Sequence, residues 1–257
     1  MSLNQKIVLG VISALAEEQE GLVEAMQGTR KLSHGLREYS SGTLWGTDVV
    51  CVLSRLGKVA AAMTAAILVE KFKVTHIVFT GVAGSADVGV SVGDLIVAEA
   101  LVQHDMDARP LFPRFEVPLT GLASFQSDLK LSDLLANSAK AFLDKDLASV
   151  ISNLESKEFG LENPRLHRGL IASGDQFINR RAHLVQLKDA LPELLAVEME
   201  GAAVAQVCFE LGIPFAVMRT ISDNANEDAA VDFMRFVKTV ASRYAFCVVK
   251  RLCESLT

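Results

Sequence analysis

The sequence predicts an α/β fold, a three-layer sandwich with a mixed, largely parallel central sheet flanked by helices. Strand-like and helix-like runs alternate along most of the chain. Half of the residues are apolar and 22% are charged, a globular composition that excludes a disordered or fibrous chain. A length of 257 residues, with no internal repeat or linker-like shift, suits a single domain spanning residues 1–257.

The elements follow in order. IVLGVIS (7–13) is a short β-rich run, and the polar-faced AEEQEGLVEAMQ after it reads as a helix. REYSSGTLWGTDVVCVLS (37–54) alternates between glycine-containing turns and reads as two or three antiparallel strands. GKVAAAMTAAILVEKF is a helix, and THIVFTG (75–81) and DLIVAEALVQ (94–103) are strands, with a glycine-rich turn between them. From His104 to Gly121 there are three prolines and no period, so this is a long loop of the kind that carries function. A helix near 126–143, a polar connection and the strand RGLIAS (168–173) follow. Then come a helix around 181–190, the strand LLAVE (194–198), a helix through GAAVAQVCFEL and the strand PFAVMRTIS (214–222). Phe233, Phe236, Val240, Tyr244, Val248 and Leu252 recur three or four apart, one buried stripe of an amphipathic helix.

Several functions are excluded at once. The net charge is 25 − 31 = −6, so no general basic surface awaits a nucleic acid polymer. Mean hydropathy is high at +0.31, yet the apolar run Val59 to Val69 is far short of the ~20 residues a membrane span needs. The apolar run after Lys6 is interrupted by Gly10 and Ser13 and reads as a buried first strand, not a leader. Cys51, Cys208, Cys247 and Cys253 form no C-x-x-C pair, which fits reduced thiols in a cytoplasmic protein. The five histidines give no H-x₃₋₅-H spacing, so no metal is expected.

In open α/β sheets ligands gather beyond the strand ends. Glu17 and Glu18 follow the first strand, Glu198-Met199-Glu200 closes another, and Ser222-Asp223 ends the last. Carboxylates in such apolar surroundings need partners or a purpose. Each also has a plain reading: Glu17 and Glu18 favour a helix start, and Ser222-Asp223 makes a cap or turn. The turn beginning at Gly81 matches neither G-x-G-x-x-G nor a phosphate-binding loop, and points to a close backbone approach or a crowded turn. No G-x-S-x-G elbow is present.

Taken together, GVISALAEEQE (10–20), LGKVAAA (56–62), FTGVAG (79–84), VGDLIVAE (92–99), QHDMD (103–107), GLIASGDQFI (169–178), AVEMEGAAVAQVC (196–208) and RTISDNA (219–225) resemble the nucleoside phosphorylase and nucleosidase superfamily. Within it the chain is most similar to the 5′-methylthioadenosine/S-adenosylhomocysteine nucleosidases. The resemblance implies a homodimer, no metal or organic cofactor, and hydrolysis of an adenosine thioether to adenine and a thioribose. It also implies roles. Glu18 activates water, Asp223 protonates adenine N7 with help from Ser222, and Glu200 holds the ribose hydroxyls over Met199. Phe177 stacks on adenine, the backbone at Ile178 reads its edge, and Arg219 lies beside the water and ribose. Leu15 and Val82 stand where the family carries a common Met and Ser. Leu111, Phe112 and Phe115 are the candidates to line the 5′ tail, with Leu56 supplied by a partner subunit. Arg109 and Arg114 are candidates for a tail carboxylate.

The implied chemistry is coherent. Glycosidic cleavage builds positive charge on the ribose, which Glu18 and Glu200 would favour. Protonating N7 makes adenine a neutral leaving group, which requires Asp223 to hold its proton well above the usual carboxylate range of about 3.9. A carboxylate at Glu18 would repel phosphate as nucleophile, so hydrolysis is expected ahead of phosphorolysis. Cleavage of aminodeoxyfutalosine by a related hydrolase, a purine nucleoside phosphorylase and a non-catalytic nucleoside sensor are the alternatives.

Overall fold

The computed structural model describes residues 6–161, 163–225 and 229–257. Among them the chain runs β1 (Val8–Ser13), β2 (Gln27–His34), β3 (Arg37–Leu44), β4 (Thr47–Leu53), α1 (Lys58–Phe72), β5 (His76–Ser85), β6 (Leu95–Gln103) and β7 (Ser124–Gln126). It continues through α2 (Leu129–Lys145), α3 (Leu147–Val150), α4 (Asn153–Phe159), β8 (Leu166–Ser173), α5 (Arg181–Ala190), β9 (Leu194–Glu198), α6 (Gly201–Leu211), β10 (Phe215–Asp223), α7 (Ala229–Phe236) and α8 (Ser242–Ser255).

The strands form one mixed sheet in the order β10-β6-β8-β9-β5-β1-β4-β3-β2, with β7 beside β6. Because β10 also pairs with β5, five strands close on themselves as β5-β10-β6-β8-β9. The expected mixed sheet is present; its pairings divide evenly, with β1–β4, β1–β5, β5–β10, β6–β8 and β8–β9 parallel and the other five antiparallel.

Period-two alternation along the central strands makes the layers. Leu9 and Val11 of β1, Val78 of β5 and Met218 of β10 face one core, filled by Leu131, Leu135 and Phe142 of α2 and Tyr244, Val248 and Leu252 of α8. Ile12, Ile77, Phe79 and Val217 face the other, where α1 and α6 present Ala61, Ala65, Leu68, Ala202, Ala205 and Cys208. Small residues let α1 and α6 sit close to the sheet, and each large apolar side chain buried contributes roughly 1.5–3 kcal/mol. Among the described residues no helix is long and apolar enough to cross a membrane. All four cysteines are free, and three of them are buried.

Several sequence expectations are corrected. The segment 16–27 is not a helix: a single 3-10 turn, Glu17–Gln19, is followed by turns, with Gly21 at φ +83°. The Glu18 side chain turns back onto the amides of Ala14 and Leu15. β5 does not stop at Gly81 but runs on to Ser85, so Gly81 and Gly84 belong to a strand and not to a turn. The polar connection after α2 contains α3 and α4, the latter started by a capping box of Ser152 and Glu155. The exposed edge strand β2 has no apolar alternation to announce it. The C-terminal stripe is buried from Phe236 to Leu252 as expected, but a π-turn, Val237–Ala241, interrupts the rod.

Candidate active site

The sheet register brings the ends of β1, β5, β8, β9 and β10 together. Arg219 pairs with Gly81 and Asp223 with Gly84 across β10–β5, Gly84 pairs with Val197 across β5–β9, and Ser173 pairs with Glu198 across β8–β9. At this convergence lies a cavity of about 140 Å³, lined by Leu15, Glu18, Leu56, Val82, Phe177, Ile178, Glu198, Met199, Glu200, Asp223 and Phe233, with Ala14, Ala83, Gly84, Gln176 and Val197 between them. Four carboxyl groups reach this wall and, among the described residues, no Lys, Arg or His does.

Glu18 is buried, and among the described residues its hydrogen bonds come from backbone amides. Its Oε2 accepts from Ala14 N (2.8 Å) and Leu15 N (2.9 Å), and its Oε1 from Val82 N (3.1 Å). Burial pushes its carboxyl above the ordinary glutamate range, against the pull of those amides and of Arg219. Asp223 is likewise buried: Oδ2 accepts from Ser222 Oγ (2.7 Å) and Oδ1 from Ala225 N (2.9 Å). The glycines of β5 explain themselves here. A Cβ on Gly81 would lie 2.9 Å from Glu18 Oε1, and one on Gly84 would lie 2.9 Å from Asp223 Oδ1. The crowding foreseen for this segment is the approach of the two carboxyl groups.

Glu198 and Glu200, two residues apart, do different things. Glu198 forms a buried ion pair with Arg219 (2.6 Å), accepts from Gly201 N (2.9 Å) and takes the Ser173 hydroxyl. Arg219 in turn donates to the carbonyls of Phe79 (3.3 Å) and Met218 (3.1 Å) and lies 4.1 Å over the Phe79 ring. Buried charges require this degree of pairing. Glu200 accepts from Gly57 N (2.8 Å). Burial, and then repulsion from Glu198, raise its carboxyl to about 8.

Of the residues singled out in the sequence, Glu18, Asp223, Glu200, Met199, Phe177, Ile178, Val82, Leu15 and Leu56 share this cavity. Ser222 and Arg219 sit behind it, the first on Asp223 and the second on Glu198. Leu56 lines the cavity of its own chain, which corrects its expected origin in a partner. Leu111 is 82% exposed and, with Phe112, stands outside the cavity wall; Phe115 is buried beside Ile178. Arg109 closes on Asp107 (2.5 Å), and Arg114 lies 4.5 Å over the Phe115 ring, so neither reaches the cavity.

The sequence reading missed two contributors and one pairing. Phe233 was legible only as part of the core stripe, yet it lines the cavity and meets Phe177 edge-on at 5.9 Å. Glu198 was noticed without its partner, because an ion pair between separate strands leaves no local signal. Asp175 accepts from Lys58 N at the start of α1 (2.7 Å), while Lys58 Nζ bridges to Asp105 (2.6 Å), which also takes Asp175 N (2.9 Å). This brace fixes Gly57, the residue whose amide holds Glu200. No cluster of metal-ligating side chains occurs among the described residues.

Comparison with known proteins gives the same outline. The sequence model of the phosphorylase superfamily matches residues 8–253. A curated 5′-methylthioadenosine/S-adenosylhomocysteine nucleosidase from Colwellia psychrerythraea is 34% identical, over 95% of this chain and 94% of its own length. The crystal structure of the enzyme of that name from Neisseria meningitidis, in complex with methylthio-immucillin-A, superposes with a TM-score of 0.85 at 32% identity, covering 96% of this chain and 99% of its own. A futalosine hydrolase from Helicobacter pylori superposes with a TM-score of 0.82 at 29% identity, covering 97% and 98%.

Proposed function

The chain belongs to the phosphorylase superfamily, and on that premise we propose that it hydrolyses the N-glycosidic bond of 5′-methylthioadenosine and S-adenosylhomocysteine, releasing adenine and the thioribose. The observation that carries this reading is the cavity wall itself, with four carboxyl groups and no cation among the described lining residues. Such a wall offers a phosphate dianion no cationic partner, while its carboxyl oxygens face a ribose that becomes positive as the bond breaks.

Glu18 takes the proton of the attacking water. Burial raises its affinity for protons above that of an ordinary glutamate, which makes it a stronger base toward the attacking water. Asp223 gives a proton to adenine N7, with the Ser222 hydroxyl orienting it (2.7 Å). Adenine then leaves as a neutral base. Glu200 holds the ribose hydroxyls, and Met199 packs under the sugar. Phe177, paired edge-on with Phe233, stacks on adenine, and the backbone at Ile178 reads its edge. Arg219 is a positioning residue: it fixes Glu198, whose carboxylate takes the amides at the start of α6. The working protein is a cytoplasmic homodimer in which the 104–121 loop of the partner, carrying Leu111 and Phe112, reaches the 5′ end of the substrate. The likeness to a futalosine hydrolase supports a second reading, a nucleosidase acting on aminodeoxyfutalosine with its larger 5′ substituent.

The test is incubation with 5′-methylthioadenosine in phosphate-free buffer, with products separated by chromatography. Adenine and free methylthioribose, produced at a rate indifferent to added phosphate, are the expected result. A sugar 1-phosphate formed only with phosphate would make the protein a phosphorylase and remove the role given to Glu18.

A further inference from the structure

Beside the catalytic cavity, and sharing Ala14, Leu15 and Leu56 with it, lies a second, more open cleft of about 400 Å³. Its wall includes Leu36, Arg37, Glu38, Leu53 and Arg55. Arg37 is only 8% exposed. Its Nη1 donates to Gly35 O (2.8 Å), and its Nη2 to Ser54 O (3.0 Å) and Ala60 O (3.2 Å), while its Nε has no partner among the described residues. Carbonyl oxygens satisfy a guanidinium's hydrogens but do not neutralise its charge, and buried charges are as a rule paired. Glu38, the one carboxylate on this wall among the described residues, is engaged by Lys31 at 2.8 Å. Arg55 is exposed and donates to Leu36 O (2.7 Å), which leaves the rest of its guanidinium to solvent. Both Leu36 (φ +61°) and Arg55 (φ +69°) hold a left-handed backbone that side chains disfavour. Strain of this kind, kept at the mouth of a cavity, marks a place where side-chain position matters. Burial pushes the Arg37 guanidinium below its ordinary range; Tyr39 opposes that shift and the neighbouring Arg55 adds to it.

We propose that this cleft is a carboxylate subsite, in which Arg55, backed by the buried charge of Arg37, receives an anionic group carried on the substrate's 5′ substituent. The inference rests on the nucleosidase reading, which puts the ribose against Glu200; Leu15 and Leu56, shared by the two cavities, then give a 5′ tail a way into the cleft. A homocysteine tail ends in such a carboxylate, and a methylthio group does not. The subsite therefore separates two substrates that the catalytic cavity treats alike. Its counter-ion arrives with the substrate, in keeping with the absence of a free carboxylate from this wall among the described residues.

The test uses two nucleosides that differ only at the tail end: 5′-butylthioadenosine, and its analogue with a carboxylate in place of the terminal methyl. Arg55→Gly removes the charge and suits the positive φ, so it should leave folding intact. It should lower kcat/KM for the carboxylate compound about tenfold and leave the butylthio compound within about twofold. Arg55→Lys should recover part of the loss. As a check without mutation, raising salt from about 0.1 to about 1 M should slow wild-type cleavage of the carboxylate compound more than that of its neutral twin. Equal effects on both compounds, by mutation and by salt, would overturn the subsite and leave the nucleosidase standing. Wild type that cleaves 5′-methylthioadenosine but neither longer compound would overturn the subsite alone; failure on all three would remove the nucleosidase reading with it.

Discussion

At the end of β1 the carboxylate of Glu18 takes three backbone amides and is shut off from solvent; in the 104–121 loop the carboxylate of Asp107 takes one arginine, Arg109, and stays in water. Their affinities for protons move in opposite directions. Burial raises Glu18, whereas hydrogen bonds from Arg109 hold Asp107 down at about 2. The first carboxyl holds a proton more readily than an ordinary glutamate, and the second less readily than an ordinary aspartate. What separates them is the sheet. Strand register delivers Val82 N to Glu18 and Gly84 to Asp223 from residues more than sixty positions away, with no side chain free to compensate. The loop has no register, and its charged groups neutralise one another locally.

The sharpest way to break this contrast is to remove the buried carboxyls. Glu18→Gln and Asp223→Asn should each lower kcat by about 10²–10⁴-fold, read by adenine release, without loss of the folded state in circular dichroism. A smaller and more pointed disturbance is Gly84→Ala, whose methyl would stand 2.9 Å from Asp223 Oδ1 and 3.0 Å from Ala225 Cβ. It should destabilise by about 1–3 kcal/mol and depress kcat more than tenfold, because the strand and Asp223 cannot both stay in place.

Glu200 sharpens the comparison through pH. Its carboxyl sits at about 8 in the fold and at the ordinary 4.5 when unfolded. Between those values the folded state holds a proton that the unfolded state has lost, so stability contributed at this site falls as pH rises. Glu200→Gln should therefore melt higher than the wild type at pH 9, by an amount on the order of 1–3 kcal/mol, and the gap should close by about pH 4.5. A gap that widens toward acid would reverse the assignment. At the far end of the scale, Arg109→Ala in the exposed loop should leave melting temperature unmoved and kcat/KM for 5′-methylthioadenosine within about twofold.

The same contrast explains what could be read from the sequence. Strand ends were legible because chain order and apolar runs fix them, and because carboxylates after such runs are chemically odd. Glu18, Glu200 and Asp223 were visible for that reason. The segment after Glu18 read as a helix because its polar face fits the period, but Gly21 at φ +83° follows a single 3-10 turn and breaks it. Phe233 was hidden in a regular stripe that serves both core and cavity. The cleft of Arg37 and Arg55 was invisible, since nothing in REYSSG or LSRLGK tells which backbone carbonyls will surround a guanidinium. Arg109 and Arg114 drew attention instead, and in the structure they answer Asp107 and Phe115.

The account turns on a proton delivered to the departing base by a carboxyl at the end of β10. The most direct measurement compares cleavage of 5′-methylthioadenosine with its 7-deaza analogue, which presents the same stacking face and ribose but has C–H where N7 would accept the proton. The analogue should bind with similar affinity and resist cleavage, its turnover falling by at least about 10²-fold. Cleavage at a comparable rate would mean that adenine leaves without a proton on N7, and Asp223 would lose its role.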